Sequence, residues 1–384
     1  AGSIWLTAPG VMLASLIIST DTPLLFFWAV GLLCFFKLAD PDAPRERAWR
    51  LAILLGAAIG AGMLAKYAAI YFVIGAGLAV ITTRARIRPI DAAIAVGAAL
   101  ALIAPNLLWN AGNGFQTVSH TAANANWSGE LLNPVALAVF LVGQLAVFGP
   151  ITLALLIIAA VQFGKIPPHS SVRPWVRRAL LAFIAPPIII ISLQSFISRA
   201  HANWAAAAFP AAAVLVALWA VRTQRQRWLA AGVAINLAIG VVGMIASTNF
   251  ALIDQSGAGD LIKRVRGWEA QGAEIAARAD AYDAMVADDR EVIGALVYYA
   301  RSAQKTVFAL NSNNRIDHHF EAFYPAPSEA KGPLLYVTTR VDGLGAKSKY
   351  RSVRSIGAAR AVLADGEIRT LYLFEIAEPL FTVP

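Results

Sequence analysis

Long apolar stretches separated by short polar connections dominate the first 249 residues. The stretches lie at 4–20, 22–38, 51–65, 67–82, 91–108, 133–161, 179–197, 203–221 and 229–247. Many of them approach the roughly 20 apolar residues that an α-helix needs to cross a bilayer. The pattern therefore predicts a polytopic α-helical membrane protein over residues 1–249.

Two regions do not have the length of one simple span. Residues 51–82 are too long for one helix and are interrupted by Lys66, so two short spans that meet at this lysine are predicted. Residues 133–161 are also too long. The Gly149–Pro150 pair predicts a kink in this region, or a first part that lies along the membrane interface.

After Asn249 the sequence changes to the mixed pattern of a soluble domain. Predicted helices cover 260–280 and 290–301, and predicted strands cover 284–287, 306–310, 334–339, 350–356 and 370–376. Helices that alternate with strands are typical of a small α/β domain. We therefore expect two parts, a multispanning membrane domain at 1–249 and a soluble C-terminal α/β domain at 250–384.

Basic residues indicate the orientation of the membrane part, because cytoplasmic connections retain lysine and arginine while translocated connections lose them. Four connections carry the basic residues Lys37, Arg45, Arg47, Arg50, Arg84, Arg86, Arg88, Lys165, Arg173, Arg177, Arg178, Arg222, Arg225 and Arg227. If these connections are cytoplasmic, the 109–133 loop and the C-terminal domain lie on the outer side of the membrane.

Composition excludes several classes of function. Hydrophobic residues make up 58% of the chain and charged residues only 14%, unlike a soluble globular protein. The net charge of +9 comes largely from the cytoplasmic connections, so nucleic-acid binding is not expected. The single cysteine, Cys34, allows no disulfide framework. Serine-hydrolase and zinc-site motifs are absent, and the adjacent His318 and His319 are interpreted as surface residues.

Lys66 and Arg199 are exceptions, since they fall on the outer side of the membrane part. A lysine or arginine at this interface suits the phosphate of an anionic lipid head group. The alternative is that each side chain merely extends to the interface as a topological exception. Asp21 is a third charged residue on this side, and its alternative interpretation is a helix cap before Pro23.

The 109–133 loop contains no lysine or arginine and is rich in polar side chains. His120 lies in it beside several asparagines, and Trp109 and Asn110 stand at its start. Such a loop suits a substrate with many hydroxyl groups, such as a sugar.

Four segments resemble successive signatures of the dolichyl-phosphate-mannose-protein mannosyltransferase-like family. They are Ser19–Phe26 (STDTPLLF), Gly60–Tyr67 (GAGMLAKY), Pro105–Asn110 (PNLLWN) and Ser198–Trp204 (SRAHANW). Bacterial members of this family include the aminoarabinose and galacturonic acid transferases of lipid A. The resemblance covers nearly the whole chain, and the order and spacing of the segments carry it.

The resemblance implies an integral-membrane glycosyltransferase of the GT-C type in the bacterial inner membrane, with a periplasmic C-terminal domain. Such an enzyme moves a sugar from a polyprenyl-phosphate donor to an envelope lipid, glycan or protein acceptor at the outer face. It also implies site residues: Lys66, Arg199 and His201 for the donor phosphate, and Asn106, Trp109, Asn110, His120, Asn203 and Trp204 for the substrates.

Family members carry their principal catalytic acid in the first outer loop, and this chain is expected to begin beyond that loop. Asp21 matches a later family aspartate and is a secondary candidate for the catalytic acid. A divalent metal is used variably in such families and cannot be assigned to residues here. Two other classes remain open: a transporter or flippase of a lipid-linked sugar, and a membrane-anchored scaffold.

Overall fold

The computed structural model describes residues 1–83, 85–119, 132–162, 174–255, 259, 263–314, 316–327, 332–363 and 366–380. The chain forms two compact units, Ala1–Ile245 and Ala246–Pro384. The predicted boundary after Asn249 lies four residues beyond Ile245.

The described part of the first unit is helical. Its α-helices are α1 Gly2–Thr7, α2 Pro9–Ala14, α3 Asp21–Ala39, α4 Ala48–Ala65, α5 Ile70–Thr82, α6 Pro89–Gly112, α7 Pro134–Phe148, α8 Pro150–Gln162, α9 Pro174–Ile197, α10 Phe209–Arg222 and α11 Gln226–Thr248. Two 3₁₀ segments, Tyr67–Ala69 and Ala202–Ala208, precede α5 and α10.

Within the described residues, six helical segments are long and apolar enough to cross a membrane, which confirms the polytopic fold. They are Asp21–Ala39, Ala48–Ala65, Pro89–Gly112, Pro174–Ile197, Ala202–Arg222 and Gln226–Thr248. The apolar stretch at 4–20 differs, because it forms the two short helices α1 and α2 instead of one long helix. Pro9 explains the interruption, since proline lacks a backbone N–H and disfavours helical geometry at the residue before it.

Both irregular regions are interrupted where the sequence predicts. Lys66 ends α4 in an extended conformation, so residues 48–82 form two helices. Helices α7 and α8 meet at an angle of 106°. Gly149 lies between them at φ 93°, a backbone conformation that favours glycine. The kink is therefore confirmed.

Close helix packing and large aromatic side chains hold the first unit together. Phe35 and Phe72 each pack against Phe183 with ring centroids 4.9 Å apart, which joins α3, α5 and α9. Helices α4 and α6 approach each other at Gly56, where even a Cβ atom would stand 2.1 Å from the carbonyl oxygen of Ala95. Small residues allow such contacts in membranes, where dispersion forces drive helix association.

The second unit is an α/β domain. Its helices are α12 Phe250–Gln255, α13 Trp268–Ala279, α14 Arg290–Tyr299, α15 His319–Phe323 and α16 Leu344–Lys347, with 3₁₀ turns at Lys263–Val265 and Arg301–Ala303. Its strands are β1 Met285–Ala287, β2 Val307–Ala309, β3 Leu334–Thr338, β4 Tyr350–Val362 and β5 Ile368–Pro379. The sheet order is β2-β1-β3-β5-β4. Strands β1, β2 and β3 are parallel, whereas β5 runs antiparallel to β3 and β4.

The predicted elements of this unit differ from the structure mainly in length. The helix expected at 260–280 begins only at Trp268, after Gly267 with φ 73°; residues 260–262 lie outside the described residues. Strands β4 and β5 extend well beyond the predicted 350–356 and 370–376, because they pair with each other along almost their whole length. His318 caps the short helix α15.

Candidate functional site

Asp21 begins α3, but its side chain does not cap this helix. The carboxylate oxygen Oδ1 accepts a 2.6 Å hydrogen bond from the Lys66 Nζ, and Oδ2 accepts a 2.7 Å bond from the side-chain amide of Asn203. The helix-cap interpretation of Asp21 is therefore wrong. Residues that lie 45 and 182 positions away in the sequence meet at this carboxylate.

The break after α4 places Lys66 at this position. The Lys66 N–H still bonds the carbonyl of Gly62, whereas the Lys66 backbone is extended at φ −161° and leaves the helical path. The Lys66 side chain is 27% exposed and that of Asp21 is 9% exposed. A carboxylate buried to this degree requires a paired charge. The ammonium group of Lys66 supplies it and remains partly accessible.

Asn203 reaches the pair from the 3₁₀ segment Ala202–Ala208. Arg199 and His201 precede it in the chain and are both exposed. The His201 ring packs edge-to-face against Trp204 at 5.4 Å, and the Arg199 carbonyl accepts a bond from Gln194. The structure brings together Asp21, Lys66 and Asn203. Among the described contacts, it shows no bond from Arg199 or His201 to this group.

A second polar network begins at Tyr67, directly after Lys66. The Tyr67 hydroxyl donates to the Asn106 side-chain oxygen at 2.7 Å. Asn110 is only 2% exposed; its amide nitrogen donates to the Asn106 carbonyl at 2.9 Å, and its oxygen accepts from the Thr117 N–H at 3.1 Å. The network thus connects the break after α4 with α6 and with the start of the outer loop.

The structure extends only partly into that loop. Trp109 is 37% exposed on α6, and its carbonyl accepts a bond from Asn113. His120 lies outside the described residues, so its proposed contact with a sugar stays a prediction. Tyr67 was missed by the sequence reasoning, although it stands in the same motif as Lys66.

A small apolar crevice opens between α3, α4 and the start of α5. It is lined by Leu24, Phe27, Trp28, Gly31, Ala58, Ile59, Gly62, Ala69 and Phe72. Leu24 follows Asp21 by three residues on α3, and Gly62 precedes Lys66 by four residues on α4. The crevice therefore begins about one helical turn along the backbone from Asp21 and from Lys66.

The residues that the structure describes contain no cluster of three or more His, Cys, Asp or Glu side chains arranged to hold a metal ion. No ligands are therefore assigned to the divalent metal that the family resemblance left open.

Comparison with known proteins gives consistent findings. Residues 1–109 match the family model described as dolichyl-phosphate-mannose-protein mannosyltransferase. The chain is also 30% identical over 344 residues to the lipid A galacturonosyltransferase RgtD of Rhizobium johnstonii. This alignment covers 88% of this chain and 70% of that relative. No solved structure matches the chain. The polar group at Asp21 and Lys66 and the Tyr67–Asn106 contact lie within the 1–109 match.

Proposed function

Because the chain belongs to the dolichyl-phosphate-mannose-protein mannosyltransferase-like family of membrane glycosyltransferases, we propose that it transfers a sugar from a polyprenyl-phosphate donor to an envelope lipid. The acceptor we favour is a lipid of the lipid A type, because the RgtD relative is named for that acceptor. RgtD is also named for the sugar galacturonic acid, so this sugar is the first to test in the donor.

The observation that carries the donor assignment is the position of Lys66 relative to the apolar crevice. A cation at the end of an apolar groove matches a lipid phosphate, because the head group is anionic and the chain beside it is apolar. The crevice is small and apolar, so at most the first atoms of the prenyl chain would enter it, and the remainder of the chain would lie in the bilayer.

Charge development at the phosphate gives Lys66 its chemical role. When the sugar leaves, the donor phosphate gains negative charge, and a preorganised cation stabilises the transition state in which that charge appears. Arg199 is proposed as a second phosphate contact, since a guanidinium can bind two phosphate oxygens at once. His201, also exposed, would donate a further hydrogen bond.

The acceptor and sugar would contact the outer loop and the polar residues beside it. Asn106 and Trp109 on α6, His120 in the loop, and Trp204 before α10 are the proposed substrate contacts. An amide group such as that of Asn106 suits sugar hydroxyls because it offers both hydrogen-bond donors and an acceptor. Asn110 is buried with both ends of its amide already bonded within the protein, and Asn203 already donates to Asp21, so these two asparagines would position their neighbours instead.

The orientation belongs to the same proposal: a multi-pass protein of the bacterial inner membrane with residues 250–384 in the periplasm. It is testable because the single cysteine, Cys34, is fully buried and should give little background labelling. In spheroplasts, Ser302→Cys should react with an impermeant maleimide. Gln226→Cys should react only after the membrane is permeabilised. The reverse pattern would refute this orientation.

The decisive experiment measures product. The full-length protein would be reconstituted in liposomes with radiolabelled polyprenyl-phosphate galacturonic acid, mannose or aminoarabinose, together with lipid A. We expect label to move to the lipid from one donor. Removal of a charge-stabilising group typically lowers a rate by about 100-fold or more, so Lys66→Ala and Arg199→Ala should each show such a loss.

Arg227→Ala serves as the matched control, because this exposed arginine is one of the basic residues placed in the cytoplasm. It should keep wild-type activity, and all variants should elute as monodisperse protein. Label that stays on the polyprenyl carrier with every donor would overturn the proposal and favour the transporter alternative. Equal losses in all three variants would remove the specific role of Lys66 and Arg199.

A further inference from the structure

The Asp21 carboxylate has two partners, and their arrangement suggests a role other than proton transfer. We propose that Asp21 is a positioning residue that holds the ammonium group of Lys66 for the donor phosphate, and that Asn203 in turn holds Asp21. This inference rests on the proposed function. It assigns the deprotonation of the acceptor hydroxyl to a general base other than Asp21.

Both oxygens of the carboxylate are engaged. Oδ1 accepts from Lys66 at 2.6 Å and Oδ2 accepts from Asn203 at 2.7 Å. The Asp21 side chain is only 9% exposed. A general base must come within hydrogen-bond distance of the hydroxyl that it deprotonates. An acceptor hydroxyl would have to enter a nearly closed space to reach the remaining lone pairs of these oxygens.

Lys66 and Asn203 are the accessible members of the group, and Lys66 is the one that carries a positive charge. An ammonium group has three N–H donors, and Asp21 uses one of them. The structure describes no other partner for Nζ, and the side chain is 27% exposed. Two donors are therefore left for a phosphate that approaches from the open side, while the bond to Asp21 is retained.

A lysine needs such an anchor because its four-carbon side chain is flexible and its ammonium group acts as a point charge. Lys66 also lacks the restraint of a helix, since it stands in the extended break after α4. Asp21 belongs to α3 and Asn203 to the segment before α10. Three parts of the membrane unit thus fix one ammonium group, as preorganised catalysis requires.

The transfer step is consistent with this division of roles. The acceptor oxygen bonds to the anomeric carbon, and the bond from that carbon to the phosphate oxygen breaks. The electron pair of that bond stays with the phosphate, which gains one negative charge beside Lys66. The proton of the acceptor hydroxyl passes to the separate general base, so Asp21 remains a carboxylate throughout.

The test compares pH profiles of transfer by the full-length protein in liposomes. Asp21→Asn keeps the shape of the side chain but removes its charge. We expect kcat to fall by about 100-fold, as for other misplaced catalytic groups, with a smaller change in KM for the donor. The acidic limb of the profile should remain, because the base is still present. Loss of that limb, leaving a residual rate independent of pH, would show that Asp21 is the base.

Asn203→Ala provides a second test, since it leaves the Lys66–Asp21 ion pair intact and is less disruptive to folding. We expect a loss of kcat of about tenfold. In the double variant Asp21→Asn/Asn203→Ala, the loss should equal that of Asp21→Asn alone, because both act through Lys66. If the fold-losses of the two single variants multiply in the double variant, the two residues act independently and the proposed chain of contacts is overturned.

Failure of this inference is distinguishable from failure of the proposed function. If the wild type transfers no sugar from any donor, the proposed function fails. If the wild type transfers sugar but Asn203→Ala has wild-type kinetics, only the positioning role fails.

Discussion

The hydroxyl of Tyr67 donates a 2.7 Å hydrogen bond to the side-chain oxygen of Asn106, which connects the residue beside Lys66 to α6. Asn110, one turn further along α6, continues the connection to the N–H of Thr117 at the start of the outer loop. The position of Lys66 and the path of this loop are thus coupled by one polar network. A donor phosphate at Lys66 and an acceptor at the loop would meet across it.

Removal of this phenol hydroxyl should impair transfer without unfolding the protein. A partly buried hydrogen bond contributes about 1 kcal/mol, so Tyr67→Phe is expected to lower kcat/KM by about fivefold. Initial rates of sugar transfer would measure the change. Tyr71→Phe is the control, because the structure describes no hydrogen bond of the Tyr71 hydroxyl. A similar loss in Tyr71→Phe would show that the effect is not specific to the network.

The sequence predicts the charged part of the candidate site better than its polar surroundings. Lys66 and Asp21 are conspicuous because each is a charged residue between apolar stretches, and charge in such a place needs a reason. Tyr67 gives no such signal, since a tyrosine near a membrane interface is common. Its role depends on Asn106, 39 residues away, and only the packing of α4 against α6 brings the two together.

The same limit applies to the fold. Hydropathy locates the spans and both breaks, because local amino-acid composition determines each of them. It does not give the 106° angle between α7 and α8, nor the hydrogen bond that Asn236 of a distant helix donates to this bend. Nor does hydropathy give the length of β4, since the length of this strand is set by its backbone pairing with β5. Local signals were sufficient only where the cause is local.

The close contact between α4 and α6 gives a prediction about assembly of the membrane unit. A Cβ atom at Gly56 would meet the carbonyl oxygen of Ala95 at 2.1 Å, and a backbone atom cannot move away cheaply. Gly56→Ala should therefore destabilise the protein by about 1–3 kcal/mol. Thermal unfolding in detergent would measure this loss as a lower midpoint.

Gly97→Ala is the matched control on α6, because a Cβ atom there would meet nothing within 4 Å. It should be neutral or slightly stabilising, since alanine favours helices over glycine. An equal decrease in both variants would contradict the close contact at Gly56.

Asn236 of α11 donates hydrogen bonds to the bend between α7 and α8. This asparagine is fully buried, and its amide nitrogen donates to the Phe148 carbonyl at 3.1 Å and to the Thr152 hydroxyl at 3.3 Å. Asn236→Leu would remove these bonds, and the Phe148 carbonyl would keep its bond from the Thr152 hydroxyl. A loss of about 1–3 kcal/mol is expected.

Stability after graded heating in detergent, followed by size-exclusion chromatography, would measure this effect. Leu237→Ala is a suitable control because the neighbouring Leu237 is 46% exposed on the same helix. We expect little change in that control. If Asn236→Leu is as stable as wild type, the bend does not depend on the amide.

Alkaline pH should destabilise the C-terminal unit through Tyr336. Its side chain is fully buried in β3, and burial, followed by the nearby Asp288 carboxylate, raises the pKa of its phenol. The folded state therefore favours the protonated phenol. The resulting stability is complete below the unfolded pKa of about 10 and decreases as the pH rises above it, by about 1.4 kcal/mol per pH unit. Burial also raises the pKa of Tyr350, so ionisation of Tyr350 contributes part of the loss of stability at alkaline pH.

Tyr336→Phe isolates the contribution of this one phenol, because phenylalanine cannot ionise. The Tyr336 hydroxyl has no hydrogen-bond partner among the described residues, so the variant should lose less than about 1 kcal/mol at neutral pH. Above about pH 11, where the wild type has lost about 1.4 kcal/mol, the variant should be the more stable protein. Scanning calorimetry of both proteins across this range would measure the difference. Parallel curves for the two proteins would show that Tyr336 does not titrate on unfolding.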